Sequence, residues 1–404
     1  MAKFDLSTLV RPKIYSLEPY RCARDDFKEG ILLDANENTH GPALSKASSL
    51  YQAFKDSELN RYPDPHQIDF KTLVAHFRNS EAQTPGALVN LTKDDKPLSA
   101  ANMCLGVGSD ESIDALIRTV CRPGIDSLII CPPTYGMYKI SSQINDVEIV
   151  SVPLCLEDFE IDLPKIQETL ASRGDSIKMI LITTPGNPTG RLVSPAKLEK
   201  LLQWSLENWN GLVVADEAYI DFSDIGSSVS VLVNKYPNLV TFQTLSKSFG
   251  LAGIRLGITF ASEELAGVLN ALKAPYNIST LTSTIAQEAL TPQSIAQMRS
   301  TVDIIKAQRS KLIQEFKEID NFGKVIGGGL DSNFILVETL NNNGKPDSAF
   351  AKKVYENMAI NKKTVVRYRG NELGCVGALR ISIGTAEENK TLVENFKKTF
   401  AEFK

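Results

Sequence analysis

Lys247 has the clearest chemical potential in this sequence, because it lies in a turn of small residues, "TLSKSFGLAGIRLG" at 244–257. An amine in a confined site can lose its proton and form a Schiff base with an aldehyde. The hydroxyls of Thr244 and Ser246 and the guanidinium of Arg255 are suited to a phosphate group. The alternative is a solvated lysine in a turn between a strand and a helix.

Asp216 is a second candidate, since it follows the apolar run "GLVVA". A carboxylate at the end of a buried strand requires a cationic or strongly donating partner. A protonated pyridine nitrogen would provide that partner, and the pyridinium would accept electrons well. Tyr219 and Asn187 can hydrogen-bond a ring hydroxyl. The alternative is a capping aspartate beside a core tyrosine.

A third group of residues suggests a place for a phosphate and a planar ring. Ser109 and Asp110 follow a glycine at the predicted start of a helix, where free N–H groups and the helix dipole favour anions. Tyr135 in "PPTYGMY" offers a flat face for stacking, although it can equally be a turn tyrosine. Gly106 and Gly108 match the start of a dinucleotide-binding G-x-G-x-x-G motif, but its third glycine is missing, so a dinucleotide-binding fold is disfavoured.

Several function classes are disfavoured. The three histidines form no H-E-x-x-H, so no metal is expected, and no G-x-S-x-G elbow indicates a serine hydrolase. The net charge of −4 predicts no general attraction to nucleic acid or membranes. No apolar run reaches membrane-spanning length, and the six cysteines contain no C-x-x-C pair. We therefore expect a cytoplasmic protein.

The elements that must position these residues begin near residue 125, where short apolar runs alternate with helical segments. Nearly continuous hydrophobicity is typical of parallel strands covered on both faces. Between two runs, Ser194 and Pro195 mark a helix start. The pattern predicts an α/β fold with a mostly parallel sheet. Because ligands bind beyond the carboxyl ends of such strands, Asn187, Asp216 and Lys247 should lie together.

The chain length of 404 residues supports two or three structural units. Residues 51–290 are the predicted large domain, and residues 291–404 read as a smaller α+β domain. A capping box from Thr385 to Glu388 begins its last helix. Residues 1–50 are expected to join the small domain, which would then be built from both termini, and residues 81–100 are predicted to be an exposed excursion.

Five motifs, in family order, resemble the fold-type I pyridoxal-phosphate aminotransferases: "GSDE", "PTYGMY", "TTPGNPTG", "DEAYIDF" and "TLSKSFGLAGIRLG". The resemblance implies the fold-type I architecture and pyridoxal 5'-phosphate as cofactor. It implies that Lys247 forms the Schiff base and shuttles the proton, that Asp216 pairs with the pyridine nitrogen, and that Tyr135 stacks on the ring. It further implies that Asn187 and Tyr219 bind the ring oxygen. The residues implied around the cofactor phosphate are Ser109, Asp110, Thr244, Ser246 and Arg255.

Within these enzymes, "LDANENTHGP", "RYPDPH" and "KAPYNIS" are similar to the histidinol-phosphate aminotransferase family. That resemblance implies amino-group exchange between histidinol phosphate and 2-oxoglutarate, giving imidazole acetol phosphate and glutamate, in histidine biosynthesis. It also implies a homodimer in which Tyr62 reaches the cofactor phosphate of the other subunit. The implied substrate residues are Arg380 for the α-carboxylate, Arg367 for the substrate phosphate with Arg369 as a competitor, and Tyr20 and Asn36.

Two other interpretations stay open at this point. The same cofactor residues occur in aromatic aminotransferases and in amino-acid phosphate decarboxylases. The first is therefore another pyridoxal-phosphate enzyme of one of these kinds. The second is a non-catalytic binding protein of the same fold, and the intact Lys247 and Asp216 argue against it.

Overall fold

The computed structural model describes residues 3–19, 21 and 45–403, and its central sheet has seven strands. The strands follow the spatial order β1-β7-β6-β5-β4-β2-β3, and β7 runs antiparallel to both of its neighbours while the other pairs are parallel. The mostly parallel α/β sheet is confirmed. The strands are β1 (Met103–Val107), β2 (Ser127–Ile130), β3 (Glu148–Ser151), β4 (Ile177–Thr183), β5 (Leu212–Asp216), β6 (Leu239–Thr244) and β7 (Leu256–Phe260).

Helices cover both faces of this sheet. Val213 and Ala215 of β5 belong to one apolar layer and Leu212 and Val214 to the other, because successive side chains of a strand point to opposite faces. The helices are α1 (Leu6–Leu9), α2 (Pro12–Tyr15), α3 (Ser49–Phe54), α4 (Ile68–Ala82), α5 (Ser109–Val120), α6 (Met137–Ile144), α7 (Leu163–Arg173), α8 (Pro195–Asn208), α9 (Glu263–Leu272), α10 (Thr280–Ala289), α11 (Pro292–Lys317), α12 (Ser348–Ile360) and α13 (Ala386–Glu402).

A second, antiparallel sheet forms the smaller α+β unit, in the order β10-β11-β9-β8. Its strands are β8 (Phe322–Val325), β9 (Phe334–Thr339), β10 (Arg367–Tyr368) and β11 (Ala378–Ser382). Helices α11, α12 and α13 contribute to its apolar core. The predicted capping box of α13 is confirmed, since the Thr385 N–H donates to Glu388 Oε2 at 2.8 Å and the Glu388 N–H donates to Thr385 Oγ1 at 3.2 Å.

The described part of the N-terminal segment packs on the large sheet, which differs from the expected docking on the small domain. Leu6, Leu9 and Val10 are buried in the same layer as Leu116 of α5. Their apolar side chains cover a helix of the large unit, and the Phe4 N–H donates to the Leu206 carbonyl at 3.1 Å. Residues 22–44 lie outside the described residues, and the domain boundaries stay a prediction.

Two local expectations are corrected. Residues 81–100 are not uniformly exposed, because Val89 and Leu98 are buried and the Val89 N–H donates to the Gly226 carbonyl at 2.8 Å. Ser194 stands at the N-cap of α8, but its side chain makes no capping hydrogen bond; its N–H instead donates to the Glu160 carboxylate. In the described part of the chain, no helix combines the length and apolarity needed to cross a bilayer.

Candidate active site

A cavity of about 160 Å³ lies at the carboxyl ends of β4, β5 and β6. The structure brings together every predicted cofactor residue except Tyr62 around it. The lining residues are Ser109, Asp110, Tyr135, Thr183, Asn187, Asp216, Ala218, Tyr219, Thr244, Ser246, Lys247, Ala252 and Arg255.

Asp216, the last residue of β5, is buried at the inner end of the cavity. Its Oδ2 accepts a hydrogen bond from the Tyr138 hydroxyl at 2.7 Å, and its Oδ1 accepts one from the Ala218 N–H at 3.2 Å. Burial raises the pKa of Asp216 to about 6, although both hydrogen bonds favour the ionised form. A carboxylate held between neutral donors is well suited to receive a proton-bearing ring nitrogen.

Lys247 follows β6 at the mouth of the cavity, and its side chain is open to solvent. Its Nζ lies 5.6 Å from the centroid of the Tyr219 ring. Partial burial, followed by the nearby charges of Arg380 and Arg255, lowers the pKa of the lysine. A larger fraction of the amine is therefore neutral and nucleophilic than in an isolated lysine.

The opposite end of the cavity is built for an anion. Gly108 precedes α5 with φ 78°, and a Cβ there would lie 2.4 Å from Arg255 Nη2, so only glycine lets the guanidinium reach the helix N-terminus. Ser246 Oγ lies 2.8 Å from Thr244 Oγ1, whose hydroxyl also donates to the Leu256 carbonyl at 2.8 Å. Helix N–H groups, hydroxyls and a guanidinium together form a phosphate-binding set.

Three side chains define the walls between these ends. The Tyr135 hydroxyl donates to Asp110 Oδ1 at 3.1 Å, which fixes the ring over the cavity. Tyr219 packs edge to face on Phe334 of β9, with 5.2 Å between ring centroids. Asn187 is buried in the loop after β4, where its side chain faces the small unit.

Arg380 of β11 connects the small unit to the cavity. Its Nη1 donates to Asn187 Oδ1 at 2.6 Å, and its guanidinium lies 5.3 Å from the Phe334 ring centroid. Burial, followed by the charge of Arg369, lowers the pKa of Arg380. The guanidinium is thus held next to the cavity wall by a buried amide and an aromatic ring.

These features accord with three comparisons. The family model of aminotransferase class I and II matches residues 28–396. The chain belongs to this family. It is 55% identical over 394 residues to the histidinol-phosphate aminotransferase of Candida maltosa, covering 98% of both chains. It is 51% identical over 402 residues to that of Saccharomyces cerevisiae, again covering 98% of both.

Two solved structures share the fold of this chain. The histidinol-phosphate aminotransferase from Sinorhizobium meliloti, solved in complex with pyridoxal-5'-phosphate, aligns with a TM-score of 0.73 at 20% identity, over 92% of this chain and 90% of that one. The L-threonine-O-3-phosphate decarboxylase from Porphyromonas gingivalis aligns with a TM-score of 0.64 at 17% identity, over 90% of this chain and 98% of that one. At these identities the likeness shows the fold alone.

The residues of this family member fit pyridoxal phosphate. Gly108 leaves the space in which Arg255 meets the helix N-terminus, as a phosphate requires. Asp216 offers a buried acceptor for the ring nitrogen, and Lys247 offers the amine for the aldehyde. Among the described residues, no group of three or more histidine, cysteine, aspartate or glutamate side chains is arranged to hold a metal ion.

The remaining predicted residues are not part of this cavity. Arg367 pairs with Arg380 across the β10–β11 ladder, but it is exposed and does not line the cavity. Arg369 is half-buried and forms an ion pair with Glu372 at 2.5 Å. Tyr62 is 54% exposed and stacks on a neighbouring tyrosine, with 4.6 Å between ring centroids.

The predicted substrate residues Tyr20 and Asn36 lie outside the described residues. The roles proposed for them, and the reach of Tyr62 into another subunit, stay predictions.

Sequence reasoning missed Tyr138 and Thr183. Tyr138 is fully buried on α6, and its hydroxyl lies 2.9 Å from Thr183 Oγ1 in addition to donating to Asp216. Tyr138 is three residues beyond Tyr135, a spacing that brings two side chains to one side of a helical turn. That spacing was the available signal that Tyr138 packs beside Tyr135, behind the wall of the cavity.

Proposed function

We propose that the chain is a pyridoxal-phosphate-dependent aminotransferase that exchanges the amino group between L-histidinol phosphate and 2-oxoglutarate. The products are imidazole acetol phosphate and L-glutamate, and the pathway is histidine biosynthesis. The observation that carries the chemistry is the convergence of Lys247, Asp216 and a phosphate-binding end on one cavity. The choice of substrate rests on the likeness to relatives of that name at 55% and 51% identity.

When bound, pyridoxal phosphate supplies an aldehyde that condenses with amines and a protonated ring that accepts electron density from the substrate carbon. The N-terminus of α5, Ser246 and Arg255 would bind the phosphate group. The Tyr135 ring would stack on the planar face of the cofactor. Asn187 and Tyr219 would hydrogen-bond the ring oxygen.

Asp216 acts on the ring nitrogen. With a pKa of about 6 it is mostly ionised at neutral pH even before a cation is bound, and a bonded pyridinium would stabilise the ionised form further. The Tyr138 hydroxyl occupies Oδ2 and orients the carboxylate. Asp216 therefore holds a proton on the ring nitrogen while the substrate carbon loses its own.

Lys247 acts as the base. With the cofactor bound, its Nζ would take the proton from the substrate carbon that bears the amino group and deliver it to the cofactor carbon that carried the aldehyde. The same transfer in reverse would serve the oxo-acid substrate. Its lowered pKa keeps enough of the amine neutral for this role. The open side chain lets Nζ move between the wall of the cavity and the reacting carbon.

The substrate end must accept two different anions. Glutamate carries carboxylates and no phosphate, whereas histidinol phosphate carries a phosphate and no α-carboxylate. A guanidinium fork binds either anion with paired hydrogen bonds. Arg380, held on Asn187, is the structural candidate for the carboxylate of glutamate and, with Arg367 and Tyr20, is proposed to bind the phosphate arm of histidinol phosphate. Asn36 is proposed as a further substrate residue.

The test is the half-reaction of the cofactor-loaded protein with single amino donors, followed by absorbance. Histidinol phosphate and glutamate should both convert the bound cofactor to its amine form, while histidinol and phenylalanine react at least about tenfold less efficiently, since each lacks the charge-assisted phosphate contact. Equal reaction with phenylalanine would instead assign an aromatic aminotransferase. Release of CO₂ from a phosphorylated amino acid would assign a decarboxylase.

Homodimerisation and a cytoplasmic location are further proposals. The exposed stack of Tyr62 on Tyr276 supports an interface at this surface. Mixing Lys247→Ala protein with an impaired Tyr62→Ala protein should restore activity through hybrid dimers, and no recovery after verified subunit exchange would reject a shared site. The proposed cytoplasmic location is supported by the free thiols at positions 104, 121, 131, 155 and 375, which fit a reducing compartment.

A further inference from the structure

A buried polar network lies behind the cavity and takes no part in the chemistry described above. At its centre is Arg78 of α4, whose side chain is 6% exposed. Its Nη1 donates to Glu81 Oε2 at 2.6 Å and to Asp221 Oδ1 at 2.7 Å, and its Nε donates to Gln243 Oε1 at 2.8 Å. Arg299 of α11 forms a second ion pair with Glu81.

The network extends to the end of β5, which carries Asp216, and to the segment that follows β6, which carries Lys247. Gln243 Nε2 donates to Glu217 Oε2 at 2.7 Å, and Glu217 Oε1 also accepts from the Val229 N–H at 2.7 Å. On the other side, the Ser248 hydroxyl donates to Asp221 Oδ2 at 2.5 Å. Hydrogen bonds therefore run without interruption from the end of β5, through Arg78, to the residue after Lys247.

Three members of the network are chain neighbours of cavity residues. Glu217 follows Asp216, Gln243 precedes Thr244, and Ser248 follows Lys247. At the ends of β5 and β6 successive side chains point to opposite sides, so Glu217 and Gln243 face the network while Asp216 and Thr244 face the cavity. Ser248 faces the network from the turn after β6, directly beside Lys247. The position of the cavity side chains is thereby tied to the geometry of the network.

We propose that the pair of Asp221 and Ser248, anchored by Arg78, positions Lys247 relative to Asp216. The inference rests on the proposed aminotransferase function and assigns these three as positioning residues, since none of them lines the cavity. The turn at 244–250 is rich in small residues and would otherwise allow its lysine several backbone conformations. A short bond to a buried, doubly paired carboxylate removes that freedom.

The test compares Ser248→Ala with Ser248→Thr in the cofactor-loaded protein. Ser248→Ala should lower kcat for histidinol phosphate about tenfold while KM stays within about twofold, because proton transfer depends on the position of Nζ and substrate binding does not. Ser248→Thr keeps the hydroxyl and should restore most of kcat.

A second readout is the pH midpoint of the absorbance change of the bound cofactor. The charges that face Lys247 belong to Arg380, Arg255, Asp216 and Asp110, and Ser248→Ala alters none of them. A shifted midpoint in Ser248→Ala, absent in Ser248→Thr, therefore reports a displaced amine.

Ser205→Ala is the matched control, since Ser205 is equally buried, accepts from Asn238 at 2.9 Å, and lies on α8 away from the cavity. It should keep the kcat and midpoint of the parent protein. If Ser248→Ala does not fold, Arg78→Lys, which cannot make all three contacts of a guanidinium, should show the same fall in kcat and shift in midpoint.

Parent-like kcat and midpoint in Ser248→Ala would overturn the proposal, as would the same changes in Ser205→Ala. Failure of the parent protein to bind pyridoxal phosphate or to react with histidinol phosphate would instead reject the proposed function, which separates the two claims.

Discussion

The cofactor end and the substrate end of the cavity differ in how they are built. At the cofactor end, side chains from three neighbouring strand ends and from the start of α5 meet within one large unit. At the substrate end, Arg380 of the small sheet hydrogen-bonds Asn187 of the cavity wall, whereas Arg367, directly opposite it on the ladder, is exposed. The geometry of the cofactor end is therefore set by the large sheet alone. The geometry of the substrate end depends on how the small unit packs against the large one.

This difference has a physical cause. Hydrogen-bonded register between parallel strands places their carboxyl ends side by side whatever the rest of the chain does. The direction of an arginine on a two-residue strand such as β10 depends instead on what packs against it. Substitutions at the cofactor end should therefore act on chemistry with every substrate, and substitutions at the substrate end should distinguish between substrates.

The largest effect is expected for Lys247→Ala. Loss of the amine removes both the Schiff-base nucleophile and the base, so transamination should fall by about 10⁴-fold or more in single-turnover assays with any donor. Pyridoxal phosphate should still bind, because Arg255 and the N-terminus of α5 are unchanged. Lys178→Ala, in β4 with its Nζ on the Asp175 carbonyl, is the control and should react like the parent.

Asp216→Asn should lower kcat by roughly 10²–10³-fold with a much smaller change in cofactor affinity. The amide cannot balance a charge on the ring nitrogen, so the ring becomes a poorer electron sink. The assay is the half-reaction with both glutamate and histidinol phosphate. Near-normal turnover with either donor would show that Asp216 is not the partner of the ring nitrogen.

The same substitution should stabilise the cofactor-free protein at neutral pH. Because the pKa of Asp216 rises from 3.8 to about 6 on folding, its contribution to the free energy of unfolding falls as the pH rises from about 4 to about 6. Asp216→Asn removes that cost, which is about 3 kcal/mol by the size of the shift. Urea unfolding at pH 5 and pH 8 measures it.

Asp126→Asn is the control of opposite sign. Burial alone would raise the pKa of Asp126, but hydrogen bonds from Arg122 hold it below its ordinary value. Asp126→Asn should therefore destabilise the protein at pH 8. A loss of stability in Asp216→Asn as well would contradict the account of the buried carboxyl.

The two arginines of the substrate end should separate by substrate. Arg380→Ala should lower kcat/KM about 100-fold with both glutamate and histidinol phosphate, because it removes a charge-assisted fork and leaves Asn187 without its partner. Arg367→Ala should lower kcat/KM about tenfold with histidinol phosphate and little with glutamate. Equal losses with both donors in Arg367→Ala would contradict its assignment to the phosphate arm.

Tyr138→Phe should have the smallest effect, a decrease in kcat of about fivefold for all donors, since Asp216 loses one hydrogen bond and keeps its charge. The measurement is steady-state turnover at saturating substrate. A change confined to one donor would place Tyr138 at the substrate end instead.

The sequence predicted the α/β architecture and the cofactor end well, because apolar runs mark strands and polar residues after them mark one edge of the sheet. It could not show that Tyr138 turns inward, since a buried hydroxyl is recognised only from its partner Asp216. Nor could it place Arg78, which reads as a surface residue of an amphipathic helix until Asp221 and Gln243 are seen beside it. Contacts between distant segments are set by packing, which local pattern does not encode.

Reductive trapping tests the central claim most directly. Purified protein loaded with pyridoxal phosphate is treated with borohydride, digested and mapped by mass spectrometry. The account predicts that the reduced cofactor is attached to the peptide containing Lys247, and that Lys247→Ala protein carries no such label. Label on a different lysine, or none on the parent protein, would contradict the assignment of this cavity as the catalytic site.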